Sequence, residues 1–120
     1  DSCNNLARAI KRRNEGKGEF TESLNHNMDQ MFAIVDQALQ QMNVILHKPE
    51  VVHDDVNVSY NVENEINNYR NQLKIKNMED VNNKAYDYQV GVYYMDMVAE
   101  CEKLGDYVLN VVQAVIEKKI

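Results

Sequence analysis

The stretch that decides the fold is LNHNMDQMFAIVDQALQQMNVI, which covers residues 24–45. Its apolar side chains recur at alternating spacings of four and three residues, which is the pattern of a helix that buries one side. Thr21 or Ser23 is suited to cap this helix, and Pro49 ends it, so a helix is predicted over about residues 21–47. The apolar seam and its flanking positions are Leu24, Met28, Met31, Phe32, Val35, Ala38, Leu39, Met42, Ile45 and Leu46.

Two more long amphipathic helices follow, over about residues 50–83 and about residues 85–118. The stripe of the first is weaker and consists of Val58, Val62, Ile66, Tyr69, Leu73 and Met78. The stripe of the second consists of Val90, Tyr94, Met97, Cys101, Leu104, Val108, Val111 and Val115. Long amphipathic helices joined by short connections pack as antiparallel neighbours. The sequence therefore predicts an all-α fold, an antiparallel up-down-up bundle of three helices.

Residues 1–18 are predicted to be the C-terminal end of a preceding helix followed by a linker, and residues 19–120 to be the bundle. Basic residues 11–13 suit the last turn of a helix, and Gly16 is typical of a helix stop. A chain that begins with Asp1 instead of methionine suggests a piece of a longer protein. One face of this first segment is apolar and carries Cys3, Leu6, Ala7 and Ile10.

Composition and charge exclude several classes of function. Lys and Arg number 13 and Asp and Glu number 19, so the net charge is −6, which argues against a nucleic-acid partner. No apolar run approaches the ~20 residues that cross a bilayer, so direct membrane insertion is not expected. Cys3 and Cys101 are too few for a disulfide scaffold or a thiolate zinc site, which favours a reducing, intracellular setting.

The most informative anomaly is an acidic pair in the last helix. Glu102 and Asp106 lie one turn apart on a face that is otherwise aliphatic, and Gly105 removes a side chain from that face. Neighbouring like charges on a helix repel, and carboxylate oxygens are preferred ligands of hard cations and of iron or manganese. Glu63 and Asn67 on the preceding helix could add two oxygen donors.

The sequence therefore supports two interpretations of this polar face. In the first, Glu102, Asp106, Glu63 and Asn67 form a metal site for a divalent or iron-type ion. In the second, the face is a polar seam in which Arg70 or Lys103 pairs with Glu102.

No pattern of catalytic residues is evident. The three histidines His26, His47 and His53 share no helical spacing, and a Gly-rich phosphate loop, a nucleophile elbow and an H-E-x-x-H motif are all missing from the sequence. An enzyme is therefore not expected. The Asp54-Asp55 pair is expected to be solvated.

The acidic residues occur in motifs that resemble those of the PhoU family. Glu102-Lys103-Leu104-Gly105-Asp106 resembles the E-R-I-G-D signature on the last helix of a PhoU repeat. Glu63-Asn64-Glu65-Ile66-Asn67 resembles the E-x-x-I-D signature on the preceding helix, with Asn67 in place of aspartate. Residues 31–39 and 65–70 are most like the C-terminal cytoplasmic PhoU-like regions of bacterial sodium/phosphate cotransporters.

This resemblance implies three-helix repeats that pack in pairs, acidic motifs that hold metal ions, and control of phosphate transport. The expected setting is a cytoplasmic domain whose partner is the transmembrane part of the same transporter. A single repeat leaves apolar residues such as Val98, Leu109 and Val112 uncovered, so a homo-oligomer is also expected. The alternative function is a structural dimerisation or interaction bundle without metal.

Overall fold

The computed structural model describes residues 20–119, which form three helices and no strand. They are α1 (Glu22–His47), α2 (His53–Asn82) and α3 (Tyr88–Lys119). Each helix contacts the other two, and the bundle measures 52 × 25 × 18 Å. The predicted all-α three-helix bundle is confirmed. The predicted helix end at residues 1–18 lies outside the described residues.

Helix α1 follows its sequence pattern closely. The Thr21 hydroxyl accepts a hydrogen bond from the backbone N–H of Leu24 at 3.2 Å and caps the helix. Of the predicted residues, Leu24, Met28, Met31, Val35, Ala38 and Ile45 are buried. Phe32, Leu39 and Met42 are half-buried, and Leu46 is exposed. The alternating spacing therefore identified the buried face of α1 correctly.

Helix α2 begins three residues later than expected. Val52 is extended, and α2 starts at His53. The Asp55 carboxylate accepts a hydrogen bond from the backbone N–H of Val52 at 3.0 Å and pairs with the Lys48 ammonium at 2.6 Å. Asp54 is exposed as expected, but Asp55 is buried, so the expectation that both are solvated is wrong. The reason is that Asp55 closes the first turn of α2 onto the end of α1.

We expect Asp55→Asn to lower the free energy of unfolding at neutral pH by about 1 kcal/mol, a typical value for a helix-capping group. The hydrogen bond from Lys48, and then that from the Val52 backbone, lower the pKa of Asp55. A lowered pKa means that this stabilisation is present above the unfolded-state value of about 3.8 and is lost as the pH falls through the folded-state value. Urea unfolding at pH 7 and pH 3 measures it. Asp54→Asn is the control, and an equal loss in both variants would contradict a capping role for Asp55.

The buried face of α2 is more polar than its stripe predicted. Val62, Ile66 and Leu73 are buried, whereas Val58 and Met78 are 42% and 58% exposed. Their predicted place in the core is therefore wrong. The buried face carries three polar residues instead, which are Asp55, Ser59 and Glu63.

Helix α3 begins at Tyr88, three residues after its predicted start. The chain reverses through residues 83–87, where Lys84 has a positive φ of 58°. Tyr94 is buried near the start of α3, and the Phe20 ring packs edge-on against it, with centroids 5.8 Å apart. Within residues 20–119, no helix is both long and apolar enough to cross a membrane. The side chains that are most completely buried are Met31, Ile45, Ile66, Tyr94, Val98, Cys101 and Val112. The expectation that Val98 and Val112 are uncovered is therefore wrong, because both pack into the core of the three-helix bundle.

Candidate functional site

The candidate site lies where α2 and α3 face each other around Glu63. Glu63 is 7% exposed, and the Asp106 carboxylate of α3 lies close enough to act on it. Asn67, one turn along α2, donates a hydrogen bond from its amide to Glu63 Oε1 at 3.1 Å. The structure therefore brings together three of the four predicted site residues, Glu63, Asn67 and Asp106.

The environment of Glu63 favours its protonated form. Burial is the largest cause, followed by the neighbouring carboxyl of Asp106, and together with the charge of Glu102 they raise the pKa of Glu63 from 4.5 to about 7. The hydrogen bond from Asn67 acts in the opposite direction. Near neutral pH, Glu63 therefore exists in both the protonated and the charged form, and the proton allows two carboxyl groups to approach each other.

The fourth residue, Glu102, is engaged elsewhere. Its carboxylate pairs with the guanidinium of Arg70, which crosses from α2 to α3. Lys103 does not join this pair, because its ammonium lies 3.1 Å from Glu100 on the same helix. The sequence alternative in which Arg70 pairs with Glu102 is thus present in the structure. In residues 20–119, no three or more His, Cys, Asp or Glu side chains are grouped so that they could hold a metal ion.

A small cavity of about 10 Å³ lies beside Glu63, between the three helices. Ser59 and Glu63 of α2, Gln41 of α1 and Gly105 of α3 are among its lining residues. Ser59 Oγ and Glu63 Oε2 are buried and have no hydrogen-bond partner. A buried oxygen without a hydrogen-bond partner destabilises the folded state, so these two oxygens lower the free energy of unfolding.

Sequence reasoning did not identify Ser59 as part of this site. The available signal was a row of polar residues spaced by four on α2, which consists of Asp55, Ser59, Glu63 and Asn67. Residues four apart lie on one face of a helix, so the row marks a polar stripe. Its burial could not be recognised, because the aliphatic stripe of α2 is weak and does not define which side faces the bundle.

Gly105 allows α2 and α3 to approach closely at this site. A Cβ atom at position 105 would lie 2.9 Å from Ile66 Cδ1 and 3.5 Å from Glu63 Oε2. Real Cβ atoms essentially never show the first distance, and Ile66 is fully buried. The interruption of the aliphatic row at Gly105 therefore has a packing reason.

The other reactive side chains do not contribute to this site. Cys101 is buried, and burial raises the pKa of its thiol to about 12, which suppresses the nucleophilic thiolate. His26, His47 and His53 are all exposed. The site is thus built from carboxyl, amide and hydroxyl groups, which can exchange protons or hold a hard cation.

Comparisons with known proteins add no relative. No protein-family model matches the chain. No curated protein and no solved structure matches it either. The resemblance to the PhoU family consequently rests on the motifs quoted above.

Proposed function

We propose that this bundle is a regulatory PhoU-like domain of a sodium-dependent phosphate transporter, which acts through the acidic site between α2 and α3. The observation that carries the proposal is the buried Glu63 carboxyl facing Asp106 across that interface. It brings together the two segments that resemble PhoU signatures, residues 63–67 on α2 and residues 102–106 on α3.

The chemistry of the site suits a module that senses a cation. Two carboxyl groups without a neutralising charge raise the free energy of the folded state, and a bound cation removes that cost. Glu63, Asp106 and the carbonyl of Asn67 would supply oxygen ligands to a divalent or iron-type ion. Glu102 would join them by releasing Arg70 and binding the metal. This exchange would break the contact between Arg70 and Glu102 and strengthen the contact between Glu63 and Asp106.

The proposed partners follow from this role. The domain would contact the transmembrane part of the same transporter on the cytoplasmic side and would self-associate into a homo-oligomer. A net charge of −6 disfavours nucleic acid and free phosphate as direct ligands. Regulation is then a change in helix packing rather than catalysis.

A second candidate function is a structural interaction bundle without metal. The pair between Arg70 and Glu102 favours it, because a carboxylate that already has a cationic partner needs no metal. The lack of a three-residue ligand group within residues 20–119 points the same way. The two functions predict different effects of metal on the stability of the fold: a regulatory metal site requires stabilisation by metal, and a structural bundle does not.

We expect manganese, iron or magnesium to raise the melting temperature of the wild-type chain. A ligand that binds only the folded state stabilises it by about 1.4 kcal/mol at a tenfold excess over its dissociation constant. The double variant Glu63→Gln, Asp106→Asn keeps the side-chain sizes, loses both charges and should show no response. Thermal unfolding with a chelator and with each metal measures the difference.

The matched control for this experiment is Asp29→Asn, Glu65→Gln, which removes the same two charges from exposed positions. It should respond to metal as the wild type does. Equal melting temperatures for wild type with every metal and with chelator would overturn the metal-dependent function and leave the structural bundle. A response that persists in the Glu63, Asp106 variant would place the metal at another site.

A further inference from the structure

An apolar groove opens between the end of α2 and the start of α3, away from the acidic site. Its volume is about 420 Å³, and it is widely open to solvent. Gly91 lies in the groove, where a Cβ atom would come within 2.9 Å of Val81 Cγ2, so the two helices nearly touch at its floor. The apolar residues that line the groove are Met78, Val81, Tyr88, Val92 and Met95.

The groove residues are unusually exposed for their chemistry. Met78 is 58% exposed and Tyr88 is 74% exposed, and Ile75, one turn before Met78, is 61% exposed. Single exposed apolar residues are normal, but here several of them line one groove, where an apolar segment could cover them together. The folding of residues 20–119 does not cover it.

The chain enters the bundle at the same end as the groove. Phe20, the first described residue, packs its ring against Tyr94, and Tyr94 directly precedes the groove residue Met95. Residues 11–19 separate Phe20 from Ile10 and can span at most about 33 Å. The bundle is only 25 × 18 Å across its short axes, so the apolar side of residues 3–10 can reach the groove.

Charge complements this arrangement. Residues 1–19 carry five basic and three acidic side chains, a net charge of +2, which leaves −8 for the rest of the chain. Asp96 lines the groove. Two exposed acidic residues are sequence neighbours of groove residues, since Glu79 follows Met78 and Asp87 precedes Tyr88. A basic amphipathic segment therefore meets an apolar groove with acidic edges.

We propose that the N-terminal segment of this chain docks in the groove between α2 and α3, with Leu6 against Val92 and Ile10 against Met78, which places Cys3, one turn before Leu6, beside Val92. An amphipathic helix in a groove between two helices is a common mode of recognition. Docking would cover the exposed methionine, tyrosine and valine side chains.

Cys3 allows a direct test in the full 120-residue chain. Cys101 is buried with a raised pKa and does not compete, so Cys3 is the reactive thiol. Val92→Cys introduces a second thiol in the groove, and a disulfide forms only when the two Cα atoms come within about 7 Å. We expect oxidation with copper phenanthroline to give an intramolecular disulfide, identified by peptide mass spectrometry, about tenfold faster than in the control.

The matched control is Val58→Cys, because Val58 is a similarly exposed valine near the start of α2 instead of its end. Adding Ile10→Asp to Val92→Cys should reduce the rate to that of the control, whereas adding Asn5→Asp, off the apolar face, should not. Equal rates for Val92→Cys and Val58→Cys would overturn the proposal. Disulfides mainly between chains in Val92→Cys would overturn it in favour of a second copy as the occupant.

Discussion

Replacing Gly105 by leucine is expected to lower the free energy of unfolding by about 2 kcal/mol. Forcing a large side chain into a packed interface costs about 3 kcal/mol, and the better helix propensity of leucine returns about 1 kcal/mol. The cost arises because a Cβ at this position would lie 2.9 Å from the buried Ile66 side chain, and the adjacent cavity of about 10 Å³ has no room for the rest of a leucine. Chemical denaturation monitored by circular dichroism measures the change.

The control for this experiment is Ala114→Leu, which adds a leucine to an exposed position of the same helix. It should change stability by less than about 0.5 kcal/mol. Gly105→Ala provides a second comparison, since an exposed glycine would gain up to about 1 kcal/mol from alanine. A stabilisation in both Gly105 variants would show that α2 and α3 do not approach closely at this point.

Glu63→Gln is expected to stabilise the protein by about 2 kcal/mol at pH 8 and to leave its stability nearly unchanged below pH 4.5. A pKa raised from 4.5 to about 7 corresponds to about 3 kcal/mol at most, and solvent screening by the exposed surroundings of Asp106 reduces it. Glutamine mimics the protonated carboxyl, and it can still accept the hydrogen bond from Asn67. Unfolding of both proteins across the pH range measures the difference.

The sign follows from proton binding. Between the unfolded-state value of 4.5 and the folded-state value near 7, the folded protein binds more protons at Glu63 than the unfolded chain does. The contribution of Glu63 to the free energy of unfolding therefore falls as the pH rises through this window. Glu65→Gln is the matched control, because Glu65 is exposed on the same helix and should show no such dependence. A pH-independent difference between Glu63→Gln and wild type would contradict a buried, partly protonated Glu63.

The fold could be predicted from the sequence because it depends on local patterns of apolar spacing and helix-end residues. The 4–3 spacing of apolar residues in α1 and α3 requires a long buried seam on each helix, whatever the third helix does. Thr21 then marks where α1 begins through its side-chain cap, and Pro49 marks where it ends by restricting the backbone of the residue before it. The same reasoning missed the starts of α2 and α3 by three residues each, because it did not anticipate the cap that Asp55 forms with Val52 and Lys48 or the positive φ of 58° at Lys84.

The sequence predicted only part of the candidate site. The interruption of an aliphatic row by Glu102 and Gly105, with Asp106 one turn away, is visible in the primary structure. It does not reveal which acid is buried. The weak apolar stripe of α2 places Val58 in the core, whereas the packed bundle places the polar row of Ser59 and Glu63 there.

Residue order alone thus specifies three amphipathic helices and the acidic motif, since both are properties of spacing along a single helix. The rotation of α2 about its axis belongs to the tertiary structure. It pairs Arg70 with Glu102, turns Glu63 towards Asp106 and brings Ile66 against Gly105. Such contacts join residues more than thirty positions apart, and their free energies depend on burial and on the charges of neighbouring helices, which no local pattern encodes.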